Sequence, residues 1–438
     1  MNTWRLALRN VWRNTRRTIV TLMAISLSCA GLMLLGGYIT WAHLGSEIHA
    51  VVLSGHLQVF KKGFMEKGSG NPTAYALANY AELHDLFVND PVLAPKLELV
   101  TGQLIVQGIA SFAGKQTSAT FAGVGAFAGD VERILRWNPY GITEPREIPA
   151  NRHLFADGPE LDDTDPDGIT LGGGLARVLE IEAGELQAKE RPTLELMSLP
   201  PAGGLPNMVT GGVRQTSIRA MDTIDNHLVV MPLKLANELM FPGEPLHVTS
   251  VQLLLKRTGD LPAVQQRIAE LNEQHHLGIE QRTCWELNPN HVRSIAMADM
   301  FFLFALGIVS VVLVFTIYNT MMMGIVERTR EIGAIRAMGV MRRGIIKMLV
   351  QEGIVLGIMG GTAGVILGLI AAWAINHSMI LYEPPYINAK AKLEVICASS
   401  PLIIATSFVS CFLIALIGAF FPARRASRMG VAEALRHY

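Results

Sequence analysis

Several groupings of residues have types and spacings that suggest chemistry. Asp163, Asp165, Asp167 and Gly168 open like a calcium loop, with carboxylates at positions one, three and five and glycine at the turn. The twelfth position of such a loop is a bidentate glutamate, but here it is Gly174, so a solvated acidic turn is expected. His275-His276, and Cys284 with His291, lack the spacing and companions of a zinc site. A phosphate cradle needs G-x-x-x-x-G-K-[ST], so that backbone amides and a lysine surround the phosphates. Gly108 to Gly114-Lys115-Gln116 has the wrong spacing and no hydroxyl, and Leu171-Gly172-Gly173-Gly174-Leu175 has no lysine. Neither H-E-x-x-H nor G-x-S-x-G occurs. The expectation is no catalytic residue, no metal and no cofactor on this chain. Energy for any work must then come from a partner.

The composition explains why. Half of the 438 residues are hydrophobic and 17% are Asp, Glu, Lys or Arg, against about 25% charged in soluble domains. The 37 basic and 37 acidic residues cancel, which gives no electrostatic footprint for nucleic acid. They are nevertheless segregated. Between Ala42 and Asp299 stand 31 acidic and 20 basic residues, a net charge of −11, and the remainder carries 17 basic and 6 acidic, a net of +11.

Four apolar runs are long enough to cross the hydrocarbon layer, which takes about 20 residues as a helix. Only a helix satisfies its own backbone there. The expected class is a membrane α-helical protein of four transmembrane helices, with a large α+β extracytoplasmic domain between the first two. The expected order is a basic N-terminal helix at 1–18, a span at 19–41, the outward domain at 42–299 and a span at 300–326. There follow a loop at 327–347, a span at 348–376, a short outward loop at 377–394, a span at 395–421 and a tail at 422–438. The first run exceeds the apolar core of a signal peptide, about 7–15 residues, and lacks a convincing cleavage site. No Asp, Glu, Lys or Arg lies in the span cores (in the third, the run 353–375 following Glu352), and this disfavours an ion-driven pump or channel. Arg5, Arg9, Arg13, Arg16 and Arg17 precede the first span; Arg328, Arg330, Arg336, Arg342, Arg343 and Lys347 lie between the second and third; Arg424, Arg425 and Arg428 follow the fourth. By the positive-inside rule both termini and the middle loop are cytoplasmic.

In the outward domain, strands are expected around His56–Phe60, Gln103–Gln107, His227–Met231 and Ser250–Leu255, with helices at Leu233–Met240 and Leu261–Leu271. The stretch Pro200 to Pro206, continuing to Gly211-Gly212, reads as a loop or as a hairpin that meets a partner. Cys284 is the one cysteine of this domain, so an intramolecular disulfide within it is excluded.

The segment Glu327-Arg328-Thr329-Arg330-Glu331-Ile332-Gly333-Ala334-Ile335-Arg336-Ala337-Met338-Gly339 carries the most information. Ile332, Ile335 and Met338 recur at helical spacing as one apolar stripe, and Arg328 stands three residues before Glu331 as a partner for it. A helix along the membrane surface could offer that stripe to another protein, or the segment could simply fix topology. In the third span, Gly353, Gly357 and Gly361, and again Gly360, Gly364 and Gly368, recur every fourth residue. Such ladders let helix backbones approach closely, whether to span four, span two or a second subunit.

The segment from Glu327 to Gly339 resembles the loop signature of the FtsX/MacB-like family of ATP-binding-cassette permeases. Pro422-Ala423-Arg424-Arg425-Ala426-Ser427-Arg428 with Val431 to Arg436 is similar to the family's tail. Leu6 to Asn14 with Arg16-Arg17-Thr18 is similar to the start of its stand-alone members. Leu171-Gly172, Gly174-Leu175-Ala176, Leu179, Ile181 and Gly184 resemble a segment of its periplasmic domain. The resemblance implies a multi-pass permease of a bacterial inner membrane, nearest the lipoprotein-releasing (Lol-type) members. It implies cytoplasmic ATPase subunits that carry ATP and Mg, and a second permease copy or paralogue. A periplasmic adaptor or chaperone and membrane lipid complete the implied set. By the same resemblance Glu327, Arg328, Arg330, Glu331, Ile332, Gly333, Ile335, Arg336 and Gly339 form the element that docks on the ATPase. The implied work is mechanical, on lipoprotein, lipid or other amphiphilic cargo. Efflux of small molecules or peptides through an adaptor and outer-membrane duct is the alternative, as is FtsX-like control of a cell-wall hydrolase.

Overall fold

The four apolar runs become the helices Thr15–Ser54, Pro289–Glu327, Arg342–His377 and Pro401–Ser427, each long and apolar enough to cross a membrane. They are called here the first to fourth long helices. The computed structural model describes residues 9, 12–13, 15–68, 70–154, 161–186, 191–201, 203–217, 222–383, 389–397 and 400–429. Most of the basic opening and the tail motif Val431 to Arg436 lie outside the described residues. The chain divides into a helical unit (Met1–His43, Ser294–Ile380, Leu393–Tyr438) and a sheet unit (Leu44–Arg293, Leu381–Lys392).

In the helical unit the two glycine ladders of the third long helix face different neighbours. A methyl group on Gly353 would lie 2.4 Å from the Ala419 methyl, on Gly357 3.2 Å from the Phe412 ring and on Gly361 2.8 Å from the Phe408 ring. That ladder packs on the fourth long helix. On the other side, a methyl on Gly360 would lie 2.7 Å from Ile25, on Gly364 2.6 Å from Cys29 Cβ and on Gly368 3.0 Å from Met33. That ladder packs on the first long helix, a neighbour not expected from the sequence. Ser26 Oγ donates to the Gly360 carbonyl at 3.0 Å, which the missing side chains permit.

The fourth apolar run was expected to be helical from Val395, but its helix begins at Pro401. Val395 to Cys397 are held out of the helix by the bundle. Asn376 both accepts from the Val395 N–H (2.8 Å) and donates to its carbonyl (3.0 Å), and Ile396 N–H bonds the Gly37 carbonyl. Irregular backbone at such a depth is tolerated where protein covers it, and Val395 and Cys397 are buried.

The sheet unit contains strands β1 Leu57–Lys61, β2 Leu97–Phe112, β3 Thr117–Ala126, β4 Gly168–Gly172, β5 Thr193–Ser198, β6 Asn207–Ser217, β7 Leu228–Pro232, β8 Ser250–Leu255 and β9 Ile279–Thr283. The long β2 belongs to two layers. Its first half lies in an antiparallel sheet, β2-β8-β1-β9, while its second half pairs with β3 and β5. The order β3-β7-β4-β6-β5-β2 then returns to β3, so six strands close a ring. Helices Leu233–Met240 and Leu261–His275 bury Leu235, Leu239, Val264 and Ile268 in one core with Leu57, Leu104 and Leu253. β5 and β6 pair as an antiparallel hairpin in which Ser198 faces Asn207, and Pro200 to Pro206, of which Ala202 lies outside the described residues, connects them. Gly211 and Gly212, expected in a loop, lie within β6, where a side chain on Gly211 would strike Ile169 of β4 at 2.8 Å. In the acidic turn, Asp162 pairs with Arg214 at 2.9 Å and Asp165 with Arg191.

A polar chain runs from the surface to the buried His56. Its Nδ1 receives the Leu255 N–H at 3.0 Å, so the ring proton is on Nε2, 3.1 Å from Thr258 Oγ1. Thr258 donates to Glu47, which also accepts from the Tyr140 hydroxyl at 2.8 Å. Burial pushes the His56 pKa from its ordinary 6.5 to about 4. A histidine neutral when folded and free to charge when unfolded contributes stability that is complete above its unfolded pKa and lost as pH falls toward the folded one. The thermal midpoint should therefore fall between pH 6.5 and 4, and His56→Asn should make that fall shallower. Equal slopes for the two proteins would contradict it.

Candidate coupling element

Nine residues after the second long helix form a helix of their own, Thr329–Ala337. The break at Arg328 (φ −111°, ψ 19°) is bridged by Thr329 Oγ1, which donates to the Ile325 carbonyl at 3.0 Å. The other end closes on Gly339 at φ +93°. There Gly339 N–H bonds the Arg336 carbonyl and Val340 N–H reaches back to Ile335. This pairing needs a left-handed residue after the helix, a conformation glycine adopts without cost.

Three ion pairs tie the element down. Arg328 forks onto Glu352 of the third long helix, with NH1–Oε1 at 3.0 Å and NH2–Oε2 at 3.1 Å. The side chains are 12% and 4% exposed. Glu327 meets Arg17 at 3.4 Å, and Glu331 meets Arg13 at 2.9 Å. Both acids thus take arginines from the start of the chain. The expected Arg328–Glu331 pair is not formed, because Arg328 turns to the third long helix. Arg336 donates to the Met429 carbonyl, beyond the end of the fourth long helix. The arginine–glutamate fork is the strongest of these by geometry and burial, whereas the Arg13–Glu331 pair, with both side chains 53% exposed, contributes little.

The apolar stripe is divided. Ile332 is 4% exposed and belongs to the cluster of Ile325, Ile345 and Ala426; Ile335 packs at its edge and Gly333 is buried beside it. Met338, the third member, is 77% exposed, as is Met341 at 80%. With Arg330, Ala334 and Ala337, also exposed, these methionines make the free face. The spacing 330, 334, 338 is as helical as the spacing of the isoleucines, but hydropathy favours the stripe that faces inward; Met341 lies beyond the break at Gly339, at the cap of the third long helix. Of the expected residues, Arg330 belongs to the free face, Ile332, Gly333 and Ile335 to the seat, and Glu327, Arg328, Glu331 and Arg336 to the clamps.

Comparison with known proteins places these residues within a family match. Residues 303–431 match the FtsX-like permease C-terminal domain. The chain carries an FtsX-like permease domain. The match takes in the second long helix from Leu303, the whole of the clamped element and both remaining long helices. The macrolide export ATP-binding/permease protein MacB of Brucella abortus is 31% identical over 213 residues, 48% of this chain and 30% of that protein. The lipoprotein-releasing system transmembrane protein LolC of Neisseria meningitidis is 22% identical over 275 residues, 61% of this chain and 65% of that protein. The chain thus spans less than two thirds of the length of either relative. The extracellular domain of the noncanonic ABC-type transporter YknZ is 12% identical and covers 52% of this chain and 99% of its own, with a TM-score of 0.30, too low to bear on the fold.

Proposed function

We propose that the chain is a membrane permease subunit of an ATP-binding-cassette transporter, powered by an ATPase outside these 438 residues. The free face of Arg330, Ala334, Met338 and Met341 docks on that ATPase in the cytoplasm, and the permease acts as a lever on amphiphilic cargo, lipoprotein or lipid, at the periplasmic side of an inner membrane. A second permease copy or paralogue completes the membrane part. The observation that carries the reading is the clamped helix itself. An element fixed to the first long helix by Arg17–Glu327, to the third by Arg328–Glu352 and to the end of the fourth by Arg336 moves all three together when it is pushed. The absence of Asp, Glu, Lys and Arg from the span cores (in the third, 353–375 after Glu352) and of a phosphate cradle from the sequence favours mechanical work over a conducted ion.

The identity with MacB favours one further reading, efflux of a small molecule or peptide through an adaptor and duct. Copurification from native membranes separates the two. Lever action on lipoprotein or lipid predicts an ATPase subunit with bound lipid or a lipid-binding periplasmic chaperone, and efflux predicts an adaptor. A purified chain that copurifies with no ATP-hydrolysing subunit contradicts both.

A further inference from the structure

Asn151 is 1% exposed, and every hydrogen-bonding group of its amide is used on backbone. Its Nδ2 donates to the Pro145 carbonyl at 2.8 Å and to the Lys390 carbonyl at 2.7 Å. Its Oδ1 accepts from the Lys390 N–H at 2.9 Å. Two carbonyls and one N–H fix which amide atom is oxygen and which is nitrogen. The side chain thus pairs with Lys390 at both donor and acceptor, as a neighbouring strand would. Asn151 sits on a short turn of helix, Pro149–Leu154, whose approach is fixed by its own N–H on the Ile148 carbonyl. Lys390 lies in the segment that joins the third and fourth long helices. That segment turns back on itself, with Leu381 facing Lys392 and Tyr382 facing Ala391, and Ala389 beside the clasp is buried. Residues 381–392 accordingly belong to the sheet unit, although the helices on either side of them do not.

We propose that Asn151 is a mechanical clasp, a positioning residue through which the sheet unit grips the joint between the third and fourth long helices, so that movement of this helix pair is handed to the sheet unit. This rests on the permease reading and deepens it. The third long helix is the one forked to the clamped element by Glu352, so a push on that element reaches Lys390 along the chain. Only an amide of this length presents donor and acceptor together in one plane. An aspartate there would set a carboxylate oxygen against the carbonyls of Pro145 and Lys390.

The test uses the full chain copurified with its ATPase, in lipid nanodiscs, and reads backbone hydrogen exchange with and without ATP and vanadate. In Asn151→Ala and Asn151→Asp, the Lys390 amide should exchange about tenfold faster, as loss of its one hydrogen bond to the Asn151 side chain allows. ATP turnover should be unchanged, while the nucleotide-dependent change in exchange at residues 145–151 is lost. Lys390→Pro, which removes one N–H from an exposed residue and leaves Asn151 in place, should likewise lose that change, and serves if the Asn151 variants fail to assemble. Unaltered exchange at Lys390, or a nucleotide response that survives in the variants, overturns the clasp. If the unaltered complex shows no nucleotide response in the sheet unit, the permease reading fails, and the clasp's role fails with it.

Discussion

Gly364→Leu should abolish the folded helical unit, whereas Gly307→Leu should leave it intact. Position 364 lies where the third long helix packs on the first. A Cβ there would meet Cys29 Cβ at 2.6 Å and the Ser26 backbone oxygen at 2.7 Å. A flexible side chain could swing away, but a backbone oxygen moves only if the whole first helix moves. Separation would cost the Ser26–Gly360 bond and the packing of Ile25 and Met33, both fully buried. Overpacking a core costs about 1–3 kcal/mol where side chains can adjust, and here the neighbour is main chain. Gly364→Ala should therefore lower the thermal midpoint and Gly364→Leu should yield no stable bundle. At Gly307 an added Cβ meets nothing within 4 Å, which makes it the control. Equal midpoints for Gly364→Leu and Gly307→Leu would refute the packing assignment.

The second large effect is expected at the buried fork. Glu352→Ala or Arg328→Ala should destabilise the unit by about 3–5 kcal/mol, since either leaves a buried charge without its partner. Replacing both, as Arg328→Met with Glu352→Leu, should recover most of that loss, because an apolar pair of similar volume can stand in for a buried ion pair. Glu331→Ala should cost under about 1 kcal/mol, as its pair with Arg13 is exposed. The ordering of thermal midpoints checks this. The recovered double variant then separates stability from function. It should fold, yet couple poorly, because an apolar contact lacks the directional hold of two parallel hydrogen bonds. A double variant less stable than both single ones would refute the role of the fork.

The long elements were legible in the sequence for a simple reason: in lipid, an uncharged run of sufficient length has one way to satisfy its backbone. The strands at Ser250–Leu255 and the helix at Leu233–Met240 were legible too, since each has its period and its punctuation in the residues themselves. The failures lie where an apolar residue's neighbour, rather than its own type, decides. Val395 to Cys397 are as hydrophobic as a span, yet Asn376 and the Gly37 carbonyl hold them outside the helix. Gly211 and Gly212 read as loop, but both lie in β6, and Gly211 lets that strand lie close against Ile169 of β4. Met338 and Ile332 are equally plausible members of one stripe, and only the helices around Ile332 show that the methionine is left outside. The partners of Glu331 and Arg328 were likewise out of reach, because Arg13 is 318 residues from Glu331, and Glu352 lies a helix away from Arg328. The closure of the ring through β2 and β3 depends on one strand serving two layers, which no local pattern announces.

The central claim is that the Met338 face of the clamped helix, and not its isoleucine face, meets an ATP-hydrolysing partner. A photo-crosslinking residue placed in turn at Met338, Met341 and Ile332 in native membranes tests it most directly. Positions 338 and 341 should capture one and the same ATP-hydrolysing subunit, and position 332 only this chain. Capture of that subunit from position 332 alone, or of no ATP-hydrolysing protein from 338 and 341, would contradict it.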